Sequence, residues 1–103
     1  MANFTKVATV DEVPAGDRKL IFLDDGPVVL FNVGGRYFCI ADICTHDDGP
    51  LVEGELDGFE IECPRHGALF DIRSGVALTL PATTPTPTYQ VKVDGSDILI
   101  AEE

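Results

Sequence analysis

Apolar residues in this chain come in short runs, mostly alternating with polar ones, and Gly, Pro or Asp breaks the pattern at intervals of about ten residues. That period belongs to strands. It predicts strands over residues 4–9, 19–23, 28–33, 36–41, 51–55, 59–62, 68–71, 76–80, 89–93 and 97–101. Turns are predicted at Asp24-Asp25-Gly26-Pro27, at Asp57-Gly58, at Ile72-Arg73-Ser74-Gly75 and at Asp94-Gly95. Gly34-Gly35 supplies the positive φ angles of a tight hairpin between two of these strands. The expected architecture is an all-β meander of antiparallel strands. In Arg36-Tyr37-Phe38-Cys39-Ile40 the alternation sets Tyr37 and Cys39 on one face and Phe38 and Ile40 on the other, so Cys39 reads as a packing residue.

A length of 103 residues suits one domain, 1–103, whose folding would bury roughly 65% of the surface of the unfolded chain. A bound metal centre would add stability to so small a core. With 18 Asp and Glu against 7 Lys and Arg, the formal charge is -11. Phosphate backbones would be repelled, and there is no basic stripe, so no nucleic-acid partner is expected. The acidity either speeds encounters with a basic protein patch or simply maintains solubility. No stretch approaches the eighteen or so apolar residues of a membrane span, and the N-terminus has neither an apolar run nor paired arginines. Together these features predict a soluble, cytoplasmic monomer without a membrane partner. Three cysteines cannot complete a disulfide framework, which fits a reducing compartment.

The strand pattern stops at two loops, Cys44-Thr45-His46 and Cys63-Pro64-Arg65-His66, each offering one thiol and one imidazole. They use both histidines and two of the three cysteines, with 16 residues between His46 and Cys63. Thiolate and imidazole suit zinc or iron, so ligand type alone leaves the metal open. A mononuclear zinc site usually takes paired ligands from one knuckle or one helix face, whereas here sulfur pairs with sulfur across the loops. The arrangement suits a binuclear 2Fe-2S centre, with Cys44 and Cys63 on one iron and His46 and His66 on the other. Two ferric ions, two sulfides and two thiolates then sum to zero charge, which eases addition of an electron. A cysteine–histidine nucleophile lacks a third orienting group and a substrate pocket, so no catalytic residue is assigned.

The spacing Cys-x-His, an intervening segment of this length, then Cys-x-x-His resembles the Rieske family, and Phe70-Asp71-Ile72-Arg73-Ser74-Gly75 resembles the turn after its second ligand loop. The resemblance extends over residues 4–101. It implies a Rieske fold of three antiparallel sheets, with one 2Fe-2S cluster at a tip made by the two ligand loops and a proline-rich third loop over 81–87. That third loop would either shield the cluster or be an ordinary exposed, stiff loop. Gly49 and Gly67 would either let backbone N–H groups approach the sulfides or serve as plain turn glycines. His46 and His66 would present their free ring edges to a redox partner.

Departures from the respiratory members sharpen the reading. Those carry an extra cysteine in each ligand loop, tied as a disulfide, where Gly49 and Arg65 stand here. They also place a serine and a tyrosine as hydrogen-bond donors to the cluster, where this chain has Ala68 and Phe70. Losing two donors, with Asp47 and Asp48 adding negative charge, places the potential near the low end of the family range, roughly -150 mV rather than about +300 mV. The pattern resembles the Rieske-type ferredoxins of bacterial aromatic-ring dioxygenase systems. It implies a one-electron carrier with no substrate of its own, reduced by a flavin-dependent ferredoxin reductase and oxidised by a Rieske non-haem iron terminal oxygenase. Two alternatives are the small Rieske-like subunit of an assimilatory nitrite reductase and a zinc-stabilised interaction module.

Overall fold

The structure, a computed structural model, describes residues 3–45 and 48–102. Nine strands are found among them: β1 (Thr5–Thr9), β2 (Arg18–Leu23), β3 (Gly26–Val33), β4 (Arg36–Ala41), β5 (Leu56–Asp57), β6 (Glu60–Glu62), β7 (Leu69–Asp71), β8 (Thr88–Asp94) and β9 (Asp97–Glu102). A single 3₁₀ turn, Val10–Glu12, is the only helical segment among the described residues. All pairings are antiparallel, in a six-stranded sheet ordered β1-β9-β8-β4-β3-β2 and a three-stranded sheet β5-β6-β7. The larger sheet is two three-stranded halves joined by a seam of two residue pairs, Cys39 with Tyr89 and Ile40 with Thr88. The three sheets that the resemblance implies are therefore present with two of them joined across this seam.

The β2–β4 meander follows the sequence pattern closely. Asp24 and Asp25 alone form the β2–β3 turn, because Leu23 pairs with Gly26. Gly34 and Gly35, at φ +62° and +92°, form the next, between Val33 and Arg36. β3 is buried on both faces. Val29 and Phe31 face one core with Ile40, Leu51, Ile61, Phe70 and Ile72, while Val28 and Leu30 face a second with Ala8, Val13, Cys39, Ile98 and Ile100. Cys39 is therefore the packing residue that alternation predicts, and burial pushes its thiol up to about 12.

Two expected strands differ. Residues 51–55 form a turn, because the Asp42 carboxylate accepts the N–H groups of Leu51 and Val52 (2.7 and 2.8 Å) and Gly54 N–H turns back to the Leu51 carbonyl. The Arg18 guanidinium holds the carbonyls of Val52 and Gly54 at 2.8 and 2.7 Å, so those carbonyls are not offered to a ladder, and contact with β6 begins at Glu55, whose carbonyl accepts from Glu62 N–H at 2.9 Å. A Cβ on Gly54 would collide with the Glu62 carbonyl, so this turn packs directly against the strand that leads into Cys63. Residues 76–80 contribute only a bridge between Ala77 and Phe70, since Thr79 spends its side chain on Leu69 N–H (2.9 Å).

Candidate metal centre

Each cysteine begins a loop that turns in the same way. Cys44 N–H donates to the Gly49 carbonyl (2.7 Å), and the Cys44 carbonyl accepts from Asp48 N–H (2.7 Å). Cys63 N–H donates to the Ala68 carbonyl (2.7 Å), and the Cys63 carbonyl accepts from Gly67 N–H (2.9 Å). Both bonds span the same sequence separations, five and four residues. The fourth residue after each cysteine has a positive φ, +62° at Asp48 and +77° at Gly67. Aspartate tolerates that region better than most side chains, so Asp48 does in the first loop what glycine does in the second. Gly67 is thus a turn glycine whose N–H is committed to Cys63.

The loops carry both thiols into one place. Cys44 and Cys63 are 0% and 1% exposed and belong to the same apolar cluster, with Leu51, Ala68, Phe70 and Ala82. No disulfide joins any of the three cysteines, and Cys39 lies in the other core. His66 is exposed at the surface of the second loop. His46 and Asp47 lie outside the described residues. Among the described residues no three His, Cys, Asp or Glu side chains form a metal-holding group. Buried sulfur inside and exposed imidazole outside is nevertheless the donor chemistry that a mixed thiolate–imidazole centre calls for.

Strand ends fix the loops. The first follows β4, and Asp42, only 8% exposed, ties its entrance to its exit through Leu51 and Val52. The second lies between β6 and β7, and the turn after β7 is closed by its own sequence. Asp71 accepts from Gly75 N–H through its carbonyl and from Arg73 N–H through its carboxylate (2.7 and 2.8 Å). The Arg73 guanidinium pairs with that carboxylate at 2.9 Å, holding it below the usual range, and lies 4.2 Å from the Phe59 ring centroid. That is the physical content of the Phe70–Gly75 motif.

The third loop, 81–87, is more than the exposed segment its prolines predict. Ala82 is buried in the cysteine cluster, and Thr86 is 2% exposed. The Thr86 hydroxyl donates to the Ile43 carbonyl at 3.1 Å, and the Thr45 hydroxyl donates to the Thr84 carbonyl, so two threonines sew this loop to the first ligand loop. Thr86 N–H donates to Gly75 at 2.8 Å, joining it to the turn after β7 as well. Sequence reasoning missed these threonines; their only signal was threonine repeated between prolines.

An antiparallel β domain that gathers two thiols in one buried cluster, with an exposed imidazole on the second loop, fits a metal centre of mixed thiolate and imidazole ligands. The chain belongs to the Rieske [2Fe-2S] domain family, whose model matches residues 3–90, and such a domain holds one 2Fe-2S cluster. It is 47% identical over 93 residues to the 3-phenylpropionate/cinnamic acid dioxygenase ferredoxin subunit of Shigella boydii, covering 88% of this chain and 86% of that one. The fold superposes on the ferredoxin of carbazole 1,9a-dioxygenase from Nocardioides aromaticivorans with a TM-score of 0.90 at 33% identity, covering 98% and 99% of the two chains. It also matches a chain in a complex of reduced oxygenase and oxidized ferredoxin in carbazole 1,9a-dioxygenase, at TM-score 0.89 and 31% identity, covering 97% of this chain and 94% of that one. The protein is a Rieske-type ferredoxin, an electron carrier rather than a catalyst. No helix among the described residues is long and apolar enough to cross a membrane.

Proposed function

We propose that this ferredoxin takes electrons from a flavin-dependent reductase and delivers them to the terminal oxygenase of an aromatic-ring dioxygenase system, working as a cytoplasmic monomer. Cys44 and Cys63 hold one iron and His46 and His66 the other. The observation that carries the ligand assignment is the matched pair of loops, which bring Cys44 and Cys63 into one buried cluster and leave His66 at the surface. The cluster, when bound, supplies one-electron redox chemistry. The residues around it exclude water from the sulfur side, through Leu51, Phe70 and Ala82, and offer imidazole edges to the partner. The third loop, held by Thr84 and Thr86, shields the centre.

Exposed apolar side chains near the second loop are Val76, Leu78 and Leu80, on alternate residues beside β7. Such a narrow stripe favours a transient contact over the broad apolar face of a permanent subunit. Purification tests the cofactor: the expected product is coloured, with two irons and two acid-labile sulfides per chain. A colourless protein with one zinc would refute the reading. Cys63→Ser abolishes the visible spectrum, and the holoprotein restores oxygenase turnover when mixed with reductase and oxygenase. Failure of a fully loaded ferredoxin to do so would refute the carrier role.

A further inference from the structure

Two hollows lie side by side on the shoulder of the molecule, away from the second ligand loop. One, of about 360 Å³, is lined by Phe22, Asp24, Asp25 and Tyr89; the other, of about 350 Å³, runs from Asp25 and Tyr89 to Ile43 and Asp48. Asp25 and Tyr89 belong to both, so they form one groove. It starts at Phe22, which is 77% exposed on a strand otherwise committed to the sheet, and ends at Ile43, just before the first ligand loop, and at Asp48 within it. Asp24, Asp25 and Asp48 are exposed along it, and no Lys or Arg lines it among the described residues.

We infer that this groove seats a basic segment of the terminal oxygenase, with Phe22 packing against an apolar side chain and the three aspartates pairing with Lys or Arg beside it. The inference rests on the electron-carrier reading and specifies its docking surface. Charge complementarity selects the occupant: a groove lined by four aspartates, three of them exposed, and by no basic side chain among the described residues, on a chain of net charge -11, repels acidic segments and attracts basic ones. Electron transfer requires the ligand tip to face its acceptor, and a groove that ends beside the first ligand loop is within reach of a protein seated there. An oxygenase complex exists for a ferredoxin of this fold in carbazole 1,9a-dioxygenase. Lateral seating of this kind sets which oxygenase is served without touching the ligands.

The test is oxygenase turnover titrated with holoferredoxin, using Phe22→Ala, the double variant Asp24→Asn/Asp25→Asn, and Asp57→Asn/Asp94→Asn as a control with the same charge change elsewhere. The double groove variant raises the KM for ferredoxin about 3- to 10-fold at low salt and less than about 2-fold at ~0.5 M salt, where screening is nearly complete. Phe22→Ala raises it about 5-fold or more at both salt concentrations, as loss of apolar burial is not screened. Control and wild type coincide. Groove variants within 2-fold of wild type at low salt, or a control that matches them there, overturn the groove. An effect on reduction by the reductase instead of on oxygenase turnover overturns the assigned occupant. If wild-type holoprotein itself drives no turnover, the carrier reading falls, and the groove falls with it.

Discussion

Replacing Gly75 by alanine should loosen the third loop from the rest of the tip. Gly75 has a φ of +78°, and a Cβ there would run into the Thr86 carbonyl oxygen and crowd the Thr88 methyl. The left-handed conformation alone costs about 1 kcal/mol for alanine. Restoring a separation near the ~3.5 Å optimum moves the backbone by on the order of 1 Å. That movement strains the Thr86 N–H bond to Gly75 and the Thr86 hydroxyl bond to Ile43. Each buried bond lost costs about 1–2 kcal/mol, giving a total of about 3–5 kcal/mol, a large part of the stability of a domain this size. Melting temperature would fall by roughly 15–30 °C. Gly95→Ala is the control: its φ is +64°, but nothing lies within 4 Å of an added Cβ, so it should lose only about 4–8 °C. Circular dichroism melts of both holoproteins, with visible absorption followed in parallel, measure the difference. If the two variants melt within about 5 °C of each other, close packing between Gly75 and Thr86 is not what holds the loop.

Other expectations concern the centre and its surroundings. Ala68→Ser places a hydroxyl in the cysteine cluster, on the residue whose own carbonyl already accepts Cys63 N–H. A donor that favours the reduced state by about 1.5–3 kcal/mol raises the potential by roughly 60–130 mV, and voltammetry showing no rise, or a wild-type value above about +150 mV, would contradict the low-potential reading. Cys39, pushed up to about 12 by burial, should resist alkylation at pH 8 in the native protein, and Cys39→Ser should keep the visible spectrum. Glu12 is lowered from 4.5 to about 2, first by its bond to Lys19 at 2.7 Å and then by Thr9 N–H. Its contribution to stability is present above pH 4.5 and lost as the pH falls toward 2, and Lys19→Met should move its NMR titration midpoint upward.

Residues whose partners lie nearby in sequence were legible. The Gly34-Gly35 hairpin and the alternation in β4 fixed two strands and the buried role of Cys39, because turn geometry and side-chain period act over a few residues. Cys44 and Cys63 stand out by their spacing to a histidine, and they share one buried cluster. Residues 51–55 misled because an aspartate upstream, Asp42, takes the backbone donors that an apolar run would otherwise offer to a ladder. For the third loop, sequence leaves shielding and plain exposure both open, because its anchors, Thr86 to Ile43 and Thr45 to Thr84, span 43 and 39 residues. Asp48 shows the same gap on a smaller scale. Nothing local distinguishes an aspartate in left-handed conformation from any loop aspartate, and only its bond to Cys44 explains it.

The two-faced burial of β3 bears on how the protein acquires its iron. The core containing Val28, Leu30, Cys39, Ile98 and Ile100 includes neither Cys44 nor Cys63, so it can consolidate while the tip is still vacant. Register in β3 and β4 is then set from below, with Ala41 already paired and Cys44 three residues beyond it. A centre assembled between the two ligand loops would then be added to strands whose register is already fixed.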